Sequence, residues 1–312
     1  MVWKKALFVA LIIFCLTPFG SPPIALGLGI FVALAIGSPF PKLHGEPTSY
    51  LLQASVVLLG FGMNLKSVLD AGRTGVLFTV ATIFGTLALG YVVGKLLGVA
   101  GRTSALISAG TAICGGSAIG AVAPTIEAER DEITLAMATV FVLNSVALFL
   151  FPVVGNLMGL SQHQFGLWSA IAIHDTSSVV GAASVYGPEA LIVATTVKLA
   201  RALWIAPVAL MFALIYRAKN PDKKVTVAFP WFILLFLLAV ALRTYLPVWI
   251  EPSVYDALVN LAKAGFTVTL FLIGAGLSRQ LLSKFGYWAL LQGIILWVAI
   301  SVTGLVAVRY LI

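Results

Sequence analysis

Charge is what this chain lacks most. Asp, Glu, Lys and Arg make up 10% of its 312 residues, 61% are hydrophobic and the mean hydropathy is +1.07. Soluble proteins carry about a quarter charged residues, so an ordinary water-soluble domain is excluded and a polytopic membrane protein is implied. Cysteine is equally sparse. Cys15 and Cys114 both lie inside apolar runs, which excludes a disulfide framework and a zinc cluster. No metal and no cofactor is expected. A nucleotide-binding loop is absent too, because "GGSAIG" (115–120) has no Lys-Ser/Thr ending. ATP-driven transport would need a separate partner.

Long hydrophobic runs, by contrast, are abundant. A membrane helix needs about 20 mostly apolar residues, and that rule places spans near 4–19, 23–38, 49–64, 73–97, 103–126, 132–155, 163–186, 188–216, 228–246, 255–277 and 285–311, eleven in all. The first, "WKKALFVALIIFCLTPFG", starts like a signal peptide but has no small-x-small cleavage site, and it reads as a retained span. With the N-terminus in the cytoplasm, the inner side receives Lys4, Lys5, Lys42, Lys95, Arg102, Arg217, Lys219, Lys223, Lys224, Arg279 and Lys284. The outer side receives Lys66, Arg73 and the acidic link "EAERDE" (127–132). That asymmetry obeys the positive-inside rule. It accounts for the net charge of +8 without a nucleic-acid partner.

Internal likeness points to a repeat. "GFGMNLKSVLDAG" (60–72) aligns without a gap to "GAGLSRQLLSKFG" (274–286), sharing glycines at 60/274, 62/276 and 72/286. On the eleven-span count these two run in opposite directions, as an inverted repeat requires. "CGGSAIGA" (114–121) also pairs with "DTSSVVGA" (175–182), each followed by a helix in which "TVFVLN" (139–144) matches "TVKLAR" (196–201). That pair runs in one direction. Either the second likeness is chance, or 163–186 is a re-entrant or broken hairpin and the count is off by one.

Three segments are too polar or too rich in glycine for lipid-facing helices. Gly115, Gly116 and Ser117 sit at mid-span, where paired glycines let a helix unwind and bare its backbone to a ligand. The competing reading is close packing through Gly116 and Gly120. His174 and Asp175 precede Thr176, Ser177 and Ser178; an ionised Asp at the bilayer centre costs about 2.5–3.5 kcal/mol, so Asp175 must face protein or water. A break at His174–Ser178 would aim a helix N-terminus, which attracts anions, at a cavity. Lys198 and Arg201 share a helix face at i, i+3, and Arg201 is about 13 residues, roughly 20 Å, from either end of its span. Asn144 is also deep; Asn64 and Ser278 read as caps. The polar groups admit two readings: a structural ion pair of Asp175 with Arg201 or Lys198, or an anion site at Arg201 and Lys198 with Asp175 or His174 handling a coupling proton or sodium ion.

"LLGFGMNL", "AICGGSAIGAVAPTI", "LNSVALFLFP", "IHDTSSVVGAA" and "VKLARALWIAP" together resemble the YeiH-type family of bacterial inner-membrane proteins, labelled sulfate exporters. The likeness runs from about residue 25 to the C-terminus. It implies kinship with the bile-acid, arsenite and cation/proton antiporter group, whose fold has inverted repeats, a panel, a core and crossing discontinuous helices. The stretch from "GFGMNL" through "CGGSAIGA" to "NSVALFLFP" resembles the first repeat of the bile-acid relatives, with Cys114 where they carry the proline of a Pro-Gly-Gly break.

The expectation is therefore one all-α transmembrane domain over 1–312, with the first span outside the repeats, repeat one at about 23–155 and repeat two at about 163–311. It would be a secondary carrier in the bacterial inner membrane moving a small anion, sulfate or a related sulfur oxyanion, by elevator-type alternating access. Arg201, Lys198, Gly115, Gly116, Ser117, Thr176, Ser177 and Asn144 would bind substrate; Asp175 and His174 would bind the coupling ion. The chain is not expected to be an enzyme. The alternatives are an anion channel, or an intramembrane hydrolase with Ser117 as nucleophile and His174 as base. A homodimer is left open.

Overall fold

The computed structural model describes residues 2–17, 19–63, 65–219, 231–245, 251–276 and 286–310. Asn64, Lys223, Lys224, Ser278, Arg279 and Lys284, and most of the 274–286 repeat, lie outside the described residues. Those described are helical, with no strand among them. In order they form α1 (Val2–Cys15), α2 (Pro22–Phe31, extended by a π turn Val32–Ile36), α3 (Glu46–Gly60), α4 (Leu65–Leu96) and α5 (Gly101–Ala112). Next come α6 (Gly116–Val122, extended by a 3-10 turn Ala123–Ile126), α7 (Arg130–Leu157), α8 (Gln162–Ala172) and α9 (Thr176–Tyr186). The last are α10 (Pro188–Ala202), α11 (Ile205–Lys219), α12 (Trp231–Tyr245), α13 (Pro252–Gly276) and α14 (Tyr287–Tyr310). Five stretches among the described residues are long and apolar enough to cross a membrane: Thr79–Leu96, Asp131–Leu157, Pro188–Tyr216, Ser253–Gly276 and Tyr287–Tyr310.

Local chemistry sets the helix starts. Proline occupies the first turn of α2, α3 and α10, where its missing N–H leaves no bond unmade. Reciprocal capping boxes open α7 (Glu129 with Glu132) and α8 (Ser161 with Gln164), each satisfying two backbone donors.

The chain divides into two compact units. One comprises Met1–Asp70, Val180–Ala182 and Trp231–Leu282; the other comprises Ala71–Val179, Ala183–Pro230 and Ser283–Ile312. In the first, glycine lets backbones touch. A Cβ at Gly29 would lie 2.2 Å from the Phe271 carbonyl oxygen, and one at Gly274 would lie 2.5 Å from that of Leu26, so α2 and α13 meet main chain to main chain. Gly60 plays the same part between α3 and α12, with a would-be Cβ 2.9 Å from the Phe236 carbonyl oxygen. Gly60 and Gly274 are partners in the sequence repeat, and each packs on a helix of the other half.

The second unit departs from the expected spans. Segment 103–126, read as a single crossing, and segment 163–186, left open between a crossing and a re-entrant hairpin, each fold back on themselves. Tyr216 on α11 donates to Glu127 Oε2 at 3.0 Å and accepts from Arg102 Nη2 at 3.4 Å, so the start of α5 and the end of the 3-10 turn after α6 share one place. Tyr186, closing α9, donates its hydroxyl to the Leu160 carbonyl at 2.7 Å and stacks on Phe165 with ring centroids 3.7 Å apart. Each segment is thus a helical hairpin whose mouth is tied shut. Gly115 turns the first at φ +63°, and an extended Ile173 and Asp175 turn the second.

The directions of the other helices follow from these contacts. α7 starts at the Arg102 end, where Arg102 and Glu132 pair at 4.0 Å, and finishes beside Phe165 and Tyr186. The α10–α11 stretch runs the opposite way, from Gln162, whose Oε1 accepts from the Glu189 N–H at 2.9 Å, to Tyr216. α4 arrives at the Arg102 end with Gly94 against Ser104, while α14 leaves it with Gly286 against Leu135 and reaches Gln164 at Val308. The acidic link 127–132, expected on the side opposite Arg102, therefore lies beside it. The physical reason is the fold-back: a hairpin returns its end to the side it started from.

The glycine contacts give a paired test. Gly29→Ala would overpack two backbones and should lower stability by about 1–3 kcal/mol, whereas Gly27→Ala, with nothing within 4 Å of its Cβ, should leave it unchanged or raise it. Thermal unfolding of the two purified variants in one detergent checks this; equal midpoints would refute the close-packing account.

Candidate functional site

Both hairpin tips lie in the second unit, and they meet. A Cβ on Gly115 would stand 3.6 Å from both Cα and Cβ of Asp175. Each interruption leaves helix-end N–H and C=O groups without an intrahelical partner, and an unmet backbone group away from water costs several kcal/mol. The chain answers with side chains from two long helices.

At the second tip the carbonyls go to lysine. Lys198 Nζ donates to the Ile173 carbonyl at 2.6 Å and to that of Ala170 at 3.3 Å, capping the end of α8. The amides go to asparagine: Asn144 Oδ1 accepts from the N–H of His174 at 3.0 Å and of Asp175 at 3.2 Å. Asp175 then caps α9, accepting from the Ser177 N–H at 3.0 Å and from the Ser177 hydroxyl. The α9 N-terminus that sequence offered to an anion is thus already held by the chain's own carboxylate. An N-cap of this kind contributes about 1 kcal/mol.

At the first tip Arg201 does what Lys198 does at the second. Its Nη2 donates to the Ala112 carbonyl at the end of α5, and its Nη1 donates to Thr82 Oγ1 at 2.7 Å. Both cations are fully buried. Each faces the negative end of a half-helix, a placement that stabilises a cation by up to about 2 kcal/mol when buried. Neither forms an ion pair with Asp175 within 4.0 Å among the described residues. The structural-pair reading is replaced by cation-to-carbonyl anchoring.

Asn144 and Arg201 hold matching places in the "TVFVLN"/"TVKLAR" likeness. Asn144, on the helix that follows the first hairpin, grips the second; Arg201, on the helix that follows the second, grips the first. The two arms cross.

Several buried polar atoms here have no hydrogen-bond partner: Asn144 Nδ2, Arg201 Nε, the Thr111 and Thr195 hydroxyls, and both ring nitrogens of His174. His174 is fully buried and lies in the field of Lys198 and Arg201. Buried orphans are rare enough that a group of them calls for a ligand or water. Thr176 and Ser177 are buried in the first turn of α9, and Asp175 is half-buried. Gly116 is half-buried and Ser117 exposed at the start of α6. Sequence reasoning missed Thr82, Thr111, Thr195 and Tyr216, since an apolar context with no motif marks none of them, and it read Glu127 only as part of the acidic link 127–132.

Anchoring predicts that Lys198→Met, which keeps the stem and removes the donor, leaves two helix-end carbonyls unmet and destabilises the protein by about 1–3 kcal/mol. Asn144→Ala should act likewise. An unaltered unfolding midpoint for Lys198→Met would sink the anchoring role.

Comparison with known proteins agrees with this multi-pass architecture. The family model described as "Conserved hypothetical protein 698" matches residues 6–293. A UPF0324 membrane protein of Porphyromonas gingivalis is 52% identical over 290 residues, covering 93% of this chain and 87% of the relative. One of Vibrio parahaemolyticus is 50% identical over 297 residues, covering 94% of each. One of Geobacter sulfurreducens is 47% identical over 306 residues, covering 98% and 96%. No solved structure matches significantly. With its buried cations, interrupted hairpins and near full-length relatives all named membrane proteins, the chain belongs to the conserved hypothetical protein 698 family of multi-pass membrane proteins.

Proposed function

We propose that this protein is a secondary active transporter that moves a small anion across the bacterial inner membrane. One observation carries the reading. On the side chains that hold the two hairpin tips, Asn144 Nδ2 and Arg201 Nε are unpartnered buried donors, and the His174 ring at the second tip and the Thr111 hydroxyl at the end of α5 are partnerless too. A set dominated by donors and flanked by two buried cations favours a ligand rich in acceptors, and sulfate or a related sulfur oxyanion fits that chemistry. Asp175, half-buried beside the tips, is the group for a coupling proton or sodium ion.

The topology supports a carrier. With the two hairpins treated as re-entrant, nine stretches remain among the described residues to cross: α1, α2, α3, α4, α7, α10–α11, α12, α13 and α14. α4, the first hairpin and α7 then run opposite to α14, the second hairpin and α10–α11, element for element. The likeness of 114–121 to 175–182 falls on the tips and return legs of the two hairpins, which supports this pairing. This reads as an inverted repeat whose second copy appears in permuted order, a design that places a site at mid-depth between repeats. Two separately compact units are what an elevator mechanism requires. Lys95, Arg102, Arg217 and Lys219 belong to one end of the second unit, which on the positive-inside rule is its cytoplasmic end.

A hydrolase reading draws no support from the geometry. The His174 nitrogens have no partner and the Ser117 side chain is exposed, so the hydrogen bond between nucleophile and base is absent.

Arg201→Lys, which keeps a buried cation for the Ala112 carbonyl and removes the unpartnered Nε, should abolish sulfate exchange in proteoliposomes while the protein still inserts and purifies; undiminished exchange would reject Arg201 as part of the site. Asp175→Asn should remove the dependence of flux on a pH or sodium gradient, and an identical gradient response would reject the coupling role. A channel would pass anion without exchange or coupling in either protein.

A further inference from the structure

Each buried cation anchors one leg of its hairpin. The cations seize the ends of the outgoing legs, α5 through Ala112 and α8 through Ala170 and Ile173. The return legs are held in different ways.

α9 is clamped. Its first residues are fixed by Asn144 and by the Asp175 cap, and residues 176–183 are buried. At its end Tyr186 stacks on Phe165 and bonds Leu160, and a Cβ on Gly155 would press into both rings at 2.6 and 2.9 Å.

The return leg of the first hairpin is built otherwise. It is a short α-helix, Gly116–Val122, continued as the 3-10 turn Ala123–Ile126. One face of it is packed, with Ala118, Ile119, Ala121, Val122, Ala123, Thr125 and Ile126 buried, while Ser117, Gly120 and Pro124 are exposed on the other and nothing lies within 4 Å of a Cβ on Gly120. A left-handed residue stands at each end, Gly115 at φ +63° and Glu127 at φ +49°. Glycine adopts that conformation freely, but glutamate does not, and strained non-glycine positions gather at switch regions. The strained Glu127 is also the residue whose carboxylate accepts the Tyr216 hydroxyl, with Arg102 on the same hydroxyl and Glu132 on Arg102.

We infer that residues 116–127 are a gate leg that swings about Gly115 and Glu127, opening the meeting point of the tips toward the Arg102 end, with Tyr216 as its latch. The purpose of the gate rests on the carrier reading above; its geometry does not. The second hairpin is the fixed partner. Cys114, buried at the first tip, becomes reachable from the Arg102 end only when the leg swings out.

Cys114 is therefore a built-in reporter. In a Cys15→Ser background, the full chain in oriented proteoliposomes is treated with a membrane-impermeant charged maleimide from each face. Tyr216→Phe removes the latch bond to a charged group and should speed Cys114 labelling about tenfold from the Arg102 face, with no gain from the opposite face. Tyr186→Phe should leave the rate as it was. An unchanged rate in Tyr216→Phe, or a gain from the opposite face, would overturn the gate. If Tyr216→Phe does not fold, Glu127→Gln weakens the same bond and must shift the rate the same way. Labelling needs no substrate. Anion flux with unresponsive labelling would remove the gate and leave the carrier; responsive labelling without anion flux would do the reverse.

Discussion

The arrangement depends on satisfying backbone groups where helices stop inside a membrane. A chain can break a helix at depth only if the freed carbonyls and amides find partners, because lipid offers none. Here three side chains carry that duty: Lys198 and Arg201 for carbonyls, Asn144 for amides. The cost of burying two cations is offset at the same atoms, since each sits where a half-helix ends in negative partial charge. The tips, their contact at Gly115 and Asp175, and the cluster of unpaired donors around them all follow from that solution.

On the carrier reading proposed above, the same groups serve two ends. Arg201 spends both terminal nitrogens on structure, on Ala112 and Thr82, and keeps Nε unpaired. Asn144 spends its oxygen on the second hairpin and keeps its nitrogen unpaired. Holding the tips in place thus also fixes the direction of the donors that remain, which is preorganisation without any residue devoted to it alone.

Much of this was legible in the sequence, and the limit has a physical cause. Gly115-Gly116 and His174-Asp175 stand out in apolar runs, so the positions of both interruptions could be read. The depth of Lys198 and Arg201 could be read from helical rise. What a chain does after an interruption could not, because continuing across and folding back have the same local composition. The choice is made at the mouths, by Tyr186 with Leu160 and by Tyr216 with Glu127, pairs 26 and 89 residues apart in sequence. The partners of the two cations were hidden for a similar reason. Backbone carbonyls carry no sequence signal, so a buried Arg or Lys suggests a carboxylate or a ligand before it suggests a helix end.

Lys198 and Arg201 sit three positions apart on α10, one on each tip. That helix is consequently a single tie-rod for both hairpins. Any axial slip of it, even by one residue's rise of about 1.5 Å, would tug the outgoing leg of each at the same moment, so neither tip can drift without informing the other.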